Sequence, residues 1–162
     1  MEMIAALSPD DRQLAAQGLH CGIVLDESKL DYQRGDFVVR NVLGADRAAG
    51  AVAVGDVVEL GATVQFQVRD ATSADEDLRA MLEGHQGDAA LVFTCNGRGE
   101  ALFGEPDHDA AVVTDLLGVD AVAGMFCAGE VGPVGGRNYL HGFTASVVVF
   151  RHAAGGGPVP SR

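Results

Sequence analysis

Polar and apolar positions along the chain fall into short β-like runs separated by three helical stripes. Ser8 followed by Pro9-Asp10-Asp11 predicts a helix start. The serine caps free amides, proline suits the first helical position, and the aspartates favour the positive end of the helix dipole. That helix is expected to reach about Gln17 and stop at Gly18. Leu19–Leu25 reads as a strand, and residues 26–36 as an exposed connection. Strand-like runs follow at Phe37–Leu43 and Ala51–Val54, with Gly55-Asp56 as a tight turn into a further strand at Val57–Leu60. The clearest period of two sets Val64, Phe66 and Val68 against Thr63, Gln65, Gln67 and Arg69, the pattern of a half-buried antiparallel strand.

A second helix, capped by Thr72 or Ser73, is expected through about Glu83. Asp75, Glu76 and Asp77 would lie in its first turn, with Leu78, Met81 and Leu82 as its apolar stripe. Asp88–Thr94 is apolar enough to be buried on both faces, and Ala121–Ala128 reads the same way. Between them a helix starts at Asp107, turns Val112, Val113, Leu116 and Leu117 inward, and ends at Gly118. Residues 88–128 thus form one β-α-β crossover. Tyr139–Arg151 is the last strand. Several strands precede the helices, so the fold class is α+β, with a mainly antiparallel or mixed sheet and about three helices.

Composition narrows the class. The 162 residues fit one domain, placed at 8–151, with an N-terminal extension at 1–7 and a flexible Gly/Pro tail at 152–162. Hydrophobic residues make up 48% of the chain, enough for a core. Formal charge is 11 − 23 = −12, and Lys29 is the only lysine. Such a surface repels phosphate backbones and anionic lipid, so neither nucleic acid nor membrane is an expected partner. Cys21, Cys95 and Cys127 are odd in number and widely spaced, which is neither a disulfide framework nor a zinc-ribbon pattern. Free thiols, and a beginning without a long apolar core, place the protein in the cytoplasm.

Two segments are longer than their connecting role requires. One runs from Thr94-Cys95-Asn96-Gly97-Arg98-Gly99 through Phe103-Gly104-Glu105 to His108-Asp109. The other runs from Cys127-Ala128-Gly129-Glu130 through Gly135-Gly136-Arg137-Asn138 to His141-Gly142-Phe143. Each leaves a strand of the crossover, so both are expected at one sheet edge, where open α/β sheets bind ligands. Together with Phe37–Arg69, these segments resemble the C-terminal domain of FIST proteins, over about residues 8–151. The resemblance implies a sensory role in signal transduction, with small ligands such as amino acids. It also implies a partner, the FIST N-terminal half, supplied in cis or in trans.

The residues themselves favour holding a ligand over turning one over. Gly135 and Gly136 would bring backbone amides close to an anion, and Arg137 adds a fork for a carboxylate. Glu130 would accept an amino group, and Arg98 is a second anion contact. Cys95, Asn96, Asn138 and His141 complete the candidate ligand-binding set. The competing reading makes Arg137 and Glu130 a brace within their own loop. Asn96-Gly97 also reads as a simple turn with φ > 0, and His108 as a capping or surface histidine.

No cofactor and no metal are expected. Three alternatives stay open. One is a protein–protein interaction module without a small ligand. The second is an enzyme with Cys95 as nucleophile and His108 or His141 as base. The third is a zinc site from Cys95, Cys127, His108 and His141, which lacks any short paired spacing. Exposed strand edges near 37–69 would also allow a homo-oligomer.

Overall fold

A computed structural model of the chain describes residues 7–152. The elements run α1 (Pro9–Gln17), β1 (His20–Val24), β2 (Phe37–Asp46), β3 (Ala51–Val54), β4 (Val64–Gln67) and α2 (Ala71–Leu82). There follow β5 (Ala89–Cys95), a 3-10 turn at Asn96–Arg98, α3 (Glu100–Phe103), α4 (His108–Leu117) and β6 (Val122–Cys127). The chain closes with β7 (Glu130–Val134), β8 (Arg137–His141) and β9 (Ala145–Phe150). The class is α+β with antiparallel and mixed sheets, as the sequence predicts. The N-terminal extension and the Gly/Pro tail lie, but for Leu7 and His152, outside the described residues.

The described chain forms two compact units. The first comprises residues up to Ser73 together with Val131–Gly142. Its four-stranded sheet has the order β3-β2-β1-β4, antiparallel throughout. Cys21, Val24, Phe37 and Val38 are buried in it. Burial raises the pKa of the Cys21 thiol. Gly22 is closely packed here: a Cβ would sit 2.6 Å from Gln67 Nε2 and 3.0 Å from the Phe37 ring, so a larger residue would displace the Gln67 side chain. Ser8 caps α1 as expected, its Oγ accepting from the Asp11 amide at 3.1 Å, yet α1 buries none of its residues.

Three expectations fail in this unit. Val57–Leu60 is not a strand, and Val57 and Leu60 face solvent. Four residues with no ladder partner gain nothing from β propensity, which expresses packing against neighbours rather than an intrinsic preference. The apolar face of β4 is also less covered than its alternation implies, since Val64 and Phe66 are exposed. Thirdly, the Gly-rich segment after β6 is no loop. β7 and β8 pair as a hairpin, turned by Gly135 and Gly136 at φ +57 and +79. A two-residue turn of that hand needs φ > 0 at both positions, which glycine reaches without steric cost. Arg40 Nη1 donates to the Leu140 carbonyl at 3.0 Å and ties β8 to β2.

The second unit comprises Ala74–Glu130 and residues from Phe143 onward. Its sheet has the order β6-β5-β9; β6 runs parallel to β5 and β9 antiparallel. The parallel pair and α4 between them are the expected crossover. Leu78 and Leu82 of α2 pack with Val112, Val113 and Leu117 of α4 over Ala90 and Val92 of β5, and Val113 is fully buried. The predicted stripes are right except at their margins, where Met81 and Leu116 are exposed.

The cap of α2 is Asp70 rather than Thr72 or Ser73: its Oδ1 accepts from the Ser73 amide at 2.8 Å. That bond holds the Asp70 carboxyl below the usual carboxylate range. The helix therefore starts earlier than expected, and Asp75–Asp77 fall beyond its first turn. β6 is a further correction. It is an edge strand, with Met125 and Phe126 exposed, rather than a strand buried on both faces. Gly124 within it is obligatory, because a Cβ there would lie 1.9 Å from the Val92 carbonyl oxygen.

Candidate functional site

In the second unit the C-terminal end of β5 delivers Thr94 to the face covered by α4. The 3-10 turn then swings Arg98 back toward the same face, and α4 opens with His108-Asp109. The turn into α4 is tight, for Asp107 adopts φ +57, a left-handed conformation that aspartate tolerates better than most residues.

These turns converge on one carboxylate. Arg98 donates through Nε to Asp109 Oδ2 at 2.7 Å and through Nη2 to Oδ1 at 2.9 Å, while Thr94 Oγ1 donates to Oδ2. His108 Nδ1 lies 3.1 Å from Asp109 Oδ1, and its Nε2 lies 3.0 Å from Asp75 Oδ1. Asp75 in turn accepts from Arg79. Arg98 Nη2 also reaches the Ala74 carbonyl at 3.2 Å. The Phe103 ring stacks on the His108 ring at 3.6 Å, with the Arg98 guanidinium 5.3 Å from the Phe103 centroid.

Arg98 and Asp109 are both more than nine-tenths buried, and the two-pronged contact, with the bonds from Thr94 and to the Ala74 carbonyl, offsets the cost of burying their charges. Burial alone would raise the Asp109 carboxyl. The hydrogen bonds from Arg98 and Thr94, with the Arg98 charge, outweigh burial and hold it below the usual range. For Asp75 the bond from Arg79 comes first, and the result is likewise a lowered pKa.

Beside the network lies a cavity of about 200 Å³. Thr94, Arg98, Asp107 and His108 contribute polar lining, and Val122 and Phe126 apolar lining. Arg98 Nη1, unlike its other two nitrogens, makes no hydrogen bond among the described residues. A larger concavity of about 500 Å³, between Gly84–Gly87 and Asp115–Gly118, is open to solvent and holds no such cluster.

The sequence-derived candidates are distributed as follows. Arg98 lines the cavity, with part of its guanidinium committed to Asp109. Cys95 is buried at the end of β5, its Sγ accepting from the Gly97 amide at 3.4 Å, with Asn96 exposed beside it in the 3-10 turn. Neither ring nitrogen of His108 reaches Cys95, since both face carboxylates. Glu130 is buried; its Oε2 accepts from Thr144 Oγ1 at 2.9 Å, so its described partner is Thr144. Its Oε1 has no hydrogen-bond partner among the described residues.

Gly135, Gly136, Arg137 and Asn138 belong to the exposed hairpin of the first unit. In that hairpin His141 Nε2 lies 2.9 Å from the Gly132 carbonyl. Among the described residues no group of three or more His, Cys, Asp or Glu comes together to hold a metal ion. Nor is any helix there long and apolar enough to cross a membrane.

Asp109, Thr94 and Asp75 were not legible as site residues. Arg98 and Asp109 are eleven apart across a turn, a short helix and a cap, so no periodicity links them. The one available signal is an arginine three residues beyond a largely apolar strand, where burial would oblige it to find an acid.

Comparison with known proteins identifies the family. A family model described as FIST C domain matches residues 2–133. An uncharacterized protein of Mycobacterium tuberculosis is 51% identical over 155 residues, which cover 92% of this chain and 40% of the relative. An uncharacterized protein of Mycobacterium bovis is 52% identical over 156 residues, with the same coverage. The chain thus spans about 40% of the length of these relatives. No solved structure matches. With the family model covering most of its length, the chain belongs to the FIST C domain family.

Proposed function

We propose that this domain serves signalling by holding a small zwitterionic metabolite of the amino-acid class in the cavity beside Arg98. The FIST C domain is a signal-transduction-associated domain, and the cavity supports the finer reading. At about 200 Å³ it is below the roughly 300–1,000 Å³ typical of drug-sized ligands, which suits a guest of few atoms. Its walls divide the work. Arg98 Nη1 is a donor for a carboxylate, Asp107 an acceptor for an ammonium, and Phe126 with Val122 an apolar wall for a side chain.

Glu130 lies outside the lining of this cavity, and its buried Oε1, which lacks a donor among the described residues, stays a separate candidate for an ammonium contact. Arg98 is already oriented by Asp109, so it loses little entropy on binding. Cys95 and Asn96 support the turn that presents Arg98. In the hairpin, Gly135, Gly136, Arg137, Asn138 and His141 stay candidates for a contact of their own, probed by Arg137→Ala.

The test is a thermal-unfolding screen against the twenty amino acids, run on this chain and on the full-length M. tuberculosis relative. A ligand at 100 times its Kd adds about 2.7 kcal/mol of stability. Phe126→Ala, at a half-exposed position, is expected to stay folded and lose that gain. If no amino acid shifts either protein, the reading fails.

A second reading, a surface for another protein, is favoured by one observation. The β5 register puts Met125 beside Phe93, Val148 beside Leu91 and Phe150 beside Ala89, all on one face, and Met125, Val148 and Phe150 are exposed. The occupant it calls for is the FIST N-terminal half, carried in cis or in trans within the remaining length of the longer relatives. Met125→Asp with Val148→Asp is expected to abolish co-purification with that half. Unchanged co-purification would remove this face from the interface.

A further inference from the structure

We propose that Cys95 and Cys127 form a reversible disulfide when the protein meets a peroxide, making this sheet end an oxidative modification site. The two residues are register partners at the last rung of the parallel β5–β6 ladder. Partners in that register lie about 4.8 Å apart across the strands and project from the same sheet face. This falls inside the Cα separation of about 4.4–6.8 Å that a disulfide spans. Both thiols are free, and each Sγ now makes only a weak backbone contact. Cys95 accepts from the Gly97 amide at 3.4 Å, and Cys127 faces the Met125 carbonyl at 3.7 Å. A rotation about χ1 frees both.

Access differs between the two, and that sets the order of events. Cys127 is half-buried on an edge strand, whereas Cys95 is buried at 6% exposure. Peroxide reacts first at Cys127: the thiolate sulfur attacks one oxygen, the O–O bond breaks, and Cys127 becomes a sulfenic acid as the other oxygen leaves as water after protonation. The Cys95 thiolate then displaces the sulfenic oxygen, which leaves as a second water, and the S–S bond forms. Two thiols lose two electrons in total and one peroxide gains them.

The bond is expected to be easily reduced. Strand neighbours keep their Cβ atoms farther apart than the roughly 3.8 Å of a relaxed disulfide, so the ladder end must pinch. Cys95 is three residues before Arg98, and Cys127 three before Glu130. Oxidation therefore strains the two segments that carry those side chains. The disulfide itself does not depend on the ligand reading.

The experiment treats the native full chain with hydrogen peroxide and follows intact mass and tryptic peptides. The expected product is a monomer lighter by about 2 Da. It should contain a linked pair of peptides, residues 80–98 with 99–137, that dithiothreitol separates. Cys21→Ser is expected to give the same product at the same rate, and Cys127→Ser none of it. Oxidation confined to sulfinic or sulfonic acids, to links through Cys21, or to dimers between chains overturns the proposal. So does a Cys95–Cys127 link that forms only after urea unfolding.

Discussion

Arg98 grips Asp109 with two parallel hydrogen bonds of 2.7 and 2.9 Å, and neither side chain reaches solvent by more than 6% of its surface. One residue closes the turn after β5 and the other opens α4, so the pair locks the crossover at the end where the cavity lies. A bidentate pair fixes orientation as well as charge, which separates it from a surface ion pair.

Removing one partner leaves the other charged and buried. Asp109→Ala is expected to destabilise the chain by about 3–5 kcal/mol. Arg98→Met with Asp109→Ala should cost less than the two single losses added together, since neither charge is then orphaned. Urea unfolding of the four proteins measures both quantities. Full additivity would mean that the pair is not coupled.

Acid should weaken the same contact. The folded Asp109 pKa lies below its unfolded value of about 3.9. Its stabilising contribution is therefore complete above about pH 4 and is lost as pH falls through the folded pKa. The urea midpoint of the native chain should drop across that window more steeply than that of Asp109→Asn, which has no proton to bind there. Parallel curves would contradict the assignment.

The two capped helices should respond differently. Ser8→Ala and Asp70→Ala each remove a side-chain acceptor from a helix N-terminus, a loss of about 1 kcal/mol of helix stability. α1 buries nothing, so Ser8→Ala should hasten amide exchange within Pro9–Gln17 and leave the global unfolding midpoint unchanged. α2 carries Leu78 and Leu82 into the core, so Asp70→Ala should lower the midpoint itself.

The sequence determined most of what local rules govern. Ser8, Pro9 and Gly18 bound α1, Val112, Val113 and Leu117 chose the inner face of α4, and the 88–128 run was legible as a β-α-β crossover because apolar period and turn residues are local signals. Only tertiary structure decided which strands are covered. Val64, Phe66, Met125 and Phe126 have the pattern of buried strands, but burial depends on what packs against a face, and that is not written in the strand. The same holds for the site. Arg98 was legible as an anion contact, whereas its pairing with Asp109, the recruitment of Thr94 and His108, and the cavity beside them follow from three chain turns meeting in space, a relation that no sequence spacing encodes.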